Sequence, residues 1–136
     1  MNELKLSTAQ LKVLSILQNE RKAMSAYALL ERAKSFGLQS PVQIYRILNK
    51  LSGHGLILKL DTLNKYLAYE LKNKKTCLLV TICTDCQTVE IIDSPQLALV
   101  IEQSILLQNF DSRNQYVELA GQCALCFSKH NSHLLT

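Results

Sequence analysis

Two Cys-x-x-Cys pairs, Cys83-Thr84-Asp85-Cys86 and Cys123-Ala124-Leu125-Cys126, stand 36 residues apart in a chain of 136. Each pair bends two thiols toward one point, and four thiolates converging on one point make a tetrahedral site for zinc. Such a site has no open coordination position, so it holds structure together and does no chemistry. The long separation excludes a compact zinc finger. A metal here instead ties the start of a small domain to its end and supplies folding free energy that a small core lacks. The same four sulfurs also suit iron in an electron-transfer protein. A dithiol oxidoreductase fits worse, since it needs one exposed reactive pair and no matching second pair.

The fifth cysteine, Cys77, lies outside the pairs. An odd count, with no apolar signal core in residues 1–8, speaks against a disulfide framework and leads us to expect a cytoplasmic protein. Cys77 reads most simply as a small buried hydrophobe, with a regulatory thiol as the rival. No apolar run approaches the ~20 residues of a membrane span. No Ser/His/Asp set, paired carboxylates or Gly-rich phosphate loop is recognisable, so neither an enzyme nor a small-molecule substrate is expected.

All five cysteines fall in the acidic part of the chain. Residues 1–75 hold thirteen of the fifteen Lys and Arg but five of the eleven Asp and Glu, a surplus of eight positive charges; the rest holds two against six. Opposite signs suggest two modules, and the basic one has the electrostatic footprint of a nucleic-acid binder.

The basic module carries three sets of helix signals. Ser7 and Gln10 form a capping box, with Leu6 and Leu11 as a staple and Leu11, Leu14 and Leu17 as the inward face. The helix they open spans about 8–20. Ser25 caps a second helix, Met24 and Leu29 staple it, Leu29, Leu30 and Ala33 face inward, and Gly37 stops it. Ser40, Pro41 and Gln43 open a third, in which Ile44, Ile47, Leu48 and Leu51 make the buried stripe and Gly53 and Gly55 the end. Residues 56–60 and 66–71 then flank a polar turn as a hairpin. Three helices and a hairpin are the order of a winged helix-turn-helix, whose third helix enters the major groove.

Burial of the stripe leaves Val42, Gln43, Tyr45, Arg46, Asn49 and Lys50 outward. Arg bonds guanine, Asn and Gln bond adenine, and a Tyr ring packs on a thymine methyl. Gln43, Tyr45, Arg46, Asn49 and Lys50 are therefore candidate DNA contacts, together with Ser40 at the helix start and Lys59 and Lys65 on the wing.

Residues 72–76 read as a basic linker. Beyond them, 78–82 and 88–92 look like strands around the first cysteine pair, 95–108 like a helix, and 116–119 like a strand leading to the second pair. That helix is apolar on nearly every side, with Glu102 its one charge, so it needs cover from a partner subunit.

These residues together resemble the ferric uptake regulator (Fur) family, most nearly its zinc uptake regulators. The resemblance rests on 24–30, on 41–51 with Gly55-Leu56, on Asn64-Lys65-Tyr66, and on the pairs Cys83/Cys86 and Cys123/Cys126. It implies a dimeric metal-dependent repressor of α+β class. A winged helix-turn-helix over 1–71 would precede a small α/β dimerisation domain over 77–136, with one structural zinc per chain on the four cysteines. Tyr45 and Arg46 match the family's DNA-contacting pair, and the expected partners are double-stranded DNA bearing an inverted repeat and a second copy of the chain. The family's histidine-rich stretch before the first pair is, in this chain, 74–82 without a histidine, and Gln87 replaces the Gly that commonly follows that pair. Glu70, Cys77, Glu90, His130 and His133, with Asp93 and His54, remain as donors for a second, regulatory metal. Loss of that sensor, or control by a thiol or a partner, are the alternatives.

Overall fold

A computed structural model describes residues 5–70, 76–111 and 116–131, with side chains to residue 129. The chain forms two compact units, Met1–Lys72 and Asn73–Thr136, each with its own sheet. Residues 71–75, which include most of the expected linker, lie outside the described residues. Thr76, assigned to the linker from sequence, is buried in the second unit and donates a hydrogen bond to the Asp93 carboxylate. Among the described residues no helix is long and apolar enough to cross a membrane.

The first unit contains α1 (Thr8–Glu20), α2 (Ala26–Ala33), α3 (Pro41–Gly53), β1 (Ile57–Leu60) and β2 (Lys65–Ala68). Ser7 and Gln10 complete the capping box that starts α1. Ser25 accepts the Ala28 amide at 3.1 Å to start α2. Leu11 does not face the core as the sequence suggested: it is 53% exposed, and α1 instead buries Val13, Leu14, Ile16 and Leu17. Ser40 makes no side-chain cap on α3. There, the Gln43 side chain accepts the Gln39 amide at 3.4 Å, and Pro41, whose missing N–H costs nothing in the first turn, starts the helix.

The stripe Ile44, Ile47, Leu48 and Leu51 is buried as expected and packs with α1, α2 and Tyr66 into one core cluster of sixteen residues. Each fully buried Leu in such a core contributes about 1.5–3 kcal/mol. The hairpin is held to this core from its far side. Met24 and Tyr66 exchange two backbone hydrogen bonds of 2.8 Å, so the segment before α2 acts as a third, one-residue edge of the wing.

The second unit contains β3 (Cys77–Cys83), β4 (Val89–Ser94), α4 (Pro95–Ile105), β5 (Tyr116–Gly121) and α5 (Ala124–Asn131). The strand order is β4-β3-β5, with β4 antiparallel and β5 parallel to the central β3. Ser94 accepts the Leu97 amide at 3.1 Å and Pro95 occupies the first turn of α4. In this helix Ala98 is buried, while Leu99 and Val100 are 60% and 56% exposed and Leu107, in the turn beyond it, is 95% exposed.

Candidate functional site

The parallel pairing of β3 with β5 is what brings the cysteines together. Cys83, last residue of β3, lies in register with Gly121, last residue of β5, so both Cys-x-x-Cys segments leave the sheet side by side at one end. The first closes a tight loop in which Gln87 donates its amide to the Cys83 carbonyl at 2.8 Å and Cys83 donates to Thr88 at 2.9 Å. The second opens α5, whose first turn is fixed by the Phe127 amide on the Cys123 carbonyl at 2.8 Å. Two cross-links join the loops: Thr84 donates through its amide (2.9 Å) and its hydroxyl (3.1 Å) to the Gly121 carbonyl, and Gln122 donates to Asp85 at 2.6 Å.

The four sulfurs lie within 4.8 Å of one another, and Cys86 Sγ is 3.7 Å from Cys123 Sγ. Zinc–sulfur bonds of about 2.3 Å in a tetrahedron separate the sulfurs by about 3.8 Å, so the donor set matches zinc in number, softness and spacing. The ionisation balance agrees. Cys83 is lowered to about 6, chiefly because the Cys86 and then the Cys123 backbone N–H point at its sulfur, and Cys86 is lowered chiefly by the Thr88 hydroxyl. Cys126 is pushed up to about 12 by its contact with Cys123, by burial and by the Cys83 and Cys86 sulfurs. Four thiols this close do not all ionise without a cation between them, and a divalent cation relieves that repulsion.

Cys77 is fully buried and its thiol is raised by that burial, which fits the small-hydrophobe reading of the sequence. Glu70 and Glu90 are exposed, and neither joins a ligand group. Among the described residues, the four cysteines are the one group of three or more His, Cys, Asp or Glu close enough to hold a metal. The His130 side chain and His133 lie outside the described residues.

In the first unit, Gln43, Tyr45, Arg46, Asn49 and Lys50 are all exposed on α3, and Ser40 is half-buried at its start. Lys59 is exposed on β1 with its ammonium 3.9 Å from Asp61, and Lys65 is half-buried on β2. Tyr66 belongs to the core, its hydroxyl raised first by burial and then by the neighbouring Tyr45 and Asp61. Tyr45 therefore stands at the junction of α3 and the wing. Val42, read from sequence as one of the outward positions of α3, is 59% exposed, and Tyr27 on α2, which no sequence pattern singled out, is 73% exposed.

Gln87 adopts φ 64°, a left-handed conformation that costs a β-carbon-bearing residue about 1 kcal/mol and that glycine adopts freely. Gln87→Gly should shift the stability of the metal-loaded protein by less than about 1 kcal/mol, because relief of the left-handed backbone is offset by glycine's greater freedom in the unfolded chain. A melting temperature several degrees below that of the parent would show that the Gln87 side chain itself stabilises the loop.

Comparison with known proteins follows the same lines. The ferric uptake regulator family model matches residues 1–120. The zinc uptake regulation protein of Escherichia coli K12 is 27% identical over 124 residues, spanning 90% of this chain and 72% of that one, and the Shigella flexneri protein gives the same figures. A zinc uptake regulator complexed with zinc and DNA has a TM-score of 0.81 at 24% identity, covering 93% of this chain and 86% of the other. Holo XcZur gives 0.79 at 24% identity over 93% and 89%. The ferric uptake regulator from Francisella tularensis with iron gives 0.61 at 19% over 93% and 98%, and at such identities these likenesses establish the fold. With basic winged helix, parallel-paired cysteine loops and a family match over residues 1–120, the chain belongs to the ferric uptake regulator family.

Proposed function

We propose that this regulator is a homodimeric repressor that binds an inverted repeat in double-stranded DNA, and that each chain holds one zinc ion on Cys83, Cys86, Cys123 and Cys126. The observation that carries the reading is α3: its apolar stripe is buried while Tyr45, Arg46 and Asn49 are exposed together on the other side, in a unit with a strong positive surplus. Two such helices in a symmetric dimer read half-sites about one helical turn apart, with Ser40, Lys50, Lys59 and Lys65 suited to the phosphates and Gln43 to a flanking base. The exposed apolar residues of α4 fit the dimer, because a single unit of this size leaves them in water. Repression follows when the bound dimer occludes a promoter.

The role of the zinc is structural in this reading. Support comes from the four-cysteine cluster among the described residues and from the lack of histidine in 74–82, the stretch that is histidine-rich in the family this chain resembles. Control of DNA binding then falls to something other than free zinc, such as a thiol or a partner. Zinc titrated into protein that keeps its tightly held ion, while binding to a duplex selected from a random library is followed, tests this. Affinity should stay constant across the titration and fall steeply with salt. A rise of tenfold or more with added zinc would contradict it and restore a zinc sensor.

A further inference from the structure

The outward face of α3 is not uniformly polar, and its most outward position is the exception. At about 100° per residue, the buried residues Ile44, Ile47, Leu48 and Leu51 centre on a direction about 170° from Val42, while Arg46, Asn49 and Tyr45 fan out on either side of it. Val42 is 59% exposed, more than Tyr45 at 48%. It directly follows Pro41, in the first turn, the part of a recognition helix whose residues meet base edges. A β-branched residue is a poor helix former, and here it has no core to pack against.

A side chain with no donor or acceptor, at the crest of a helix aimed at a major groove, has one complementary feature there. Every base edge in that groove offers hydrogen-bonding groups, and thymine alone adds an apolar one, its C5-methyl. We infer that Val42 is a specificity-determining residue, selecting thymine at one position of each half-site by packing its two methyl groups on the thymine methyl. The inference rests on the DNA-binding reading above. Arg46 and Asn49 flank Val42 on the same face, so the chosen thymine sits among bases recognised by hydrogen bonds. Cytosine is rejected because its C5 carries only hydrogen, leaving Val42 against water.

The test replaces each recurrent thymine of one half-site in the selected duplex by deoxyuridine, which removes the methyl and nothing else. At one of these positions the wild-type protein should bind about threefold to fivefold more weakly. Val42→Ala should weaken binding to the thymine duplex by a similar factor, and the variant on the deoxyuridine duplex should be no weaker than on the thymine duplex. Alanine is the better helix former at an exposed site, so the variant keeps its melting temperature. If no deoxyuridine penalty shrinks in Val42→Ala, the inference is overturned while DNA binding stands. If wild-type protein enriches no duplex from the library, the DNA-binding reading fails and takes the inference with it.

Discussion

Cys123→Ser should cost the protein its metal, the fold of its second unit and its dimer in one step. The reason is the size of the core. Among the described residues of that unit the buried apolar ones are Cys77, Leu78, Val80, Ile82, Cys83 and Ala98, against a cluster of sixteen among those of the first unit. Structural zinc sites on cysteines supply about 10–16 kcal/mol of apparent binding free energy, which matches or exceeds the whole stability of a typical domain, about 5–15 kcal/mol. Loss of one thiolate leaves three crowded sulfurs and no closed site. Circular dichroism should show loss of strand signal with the helices of the first unit kept, and sedimentation should show monomers. DNA affinity should drop at least about a hundredfold, because two half-sites are no longer engaged together. A folded, dimeric, metal-free variant would show that packing alone holds the unit.

Arg46→Ala should have the second largest effect, and a cleaner one. The side chain is exposed on α3 and contributes nothing to the core, so the melting temperature should stay where it is. A bidentate arginine–guanine contact is worth about 1–3 kcal/mol, which corresponds to a loss of about fivefold to a hundred-and-fifty-fold per half-site. Arg46→Lys should not restore it, since a point charge replaces the planar fork that meets both guanine acceptors. Binding should also become less selective at one base position. An Arg46→Ala variant that binds within twofold of the parent, at unchanged salt, would remove α3 from the interface.

What was legible in the chain was whatever acts over a few residues. Ser7, Gln10 and Ser25 announce helix starts by hydrogen bonds three residues long, and the caps form as read. The Ile44, Ile47, Leu48, Leu51 stripe repeats with the helical period, so its burial followed directly. Local rules also have rivals, and at two places the rival won. Ser40 satisfies the same pattern as Ser25, yet Pro41 already sets the first turn and the Gln43 side-chain oxygen accepts the Gln39 N–H. Leu11 fits a stripe with Leu14 and Leu17, but Val13 and Ile16 form the deeper one with them and turn Leu11 to solvent.

The cysteine site was legible in composition but not in construction. Nothing near Cys83 or Cys123 says that β5 pairs parallel to β3, because that pairing joins segments more than thirty residues apart and is decided by the packing of the whole unit. The helix α5 begins at Ala124 without a Ser, Thr, Asp or Asn before it and with little amphipathic pattern, so no local signal marks it although Cys126 lies in its first turn. The Met24–Tyr66 bridge is a contact of one residue with one residue across forty, too brief to leave a periodicity.

The chain's charge asymmetry, its cysteine loops and its uncovered α4 converge on one assembly, and native mass spectrometry of the protein with its selected duplex measures all three parts at once. The expected mass is two chains, two zinc ions and one duplex. A single chain on the duplex, a complex without zinc, or iron in place of zinc would contradict the account.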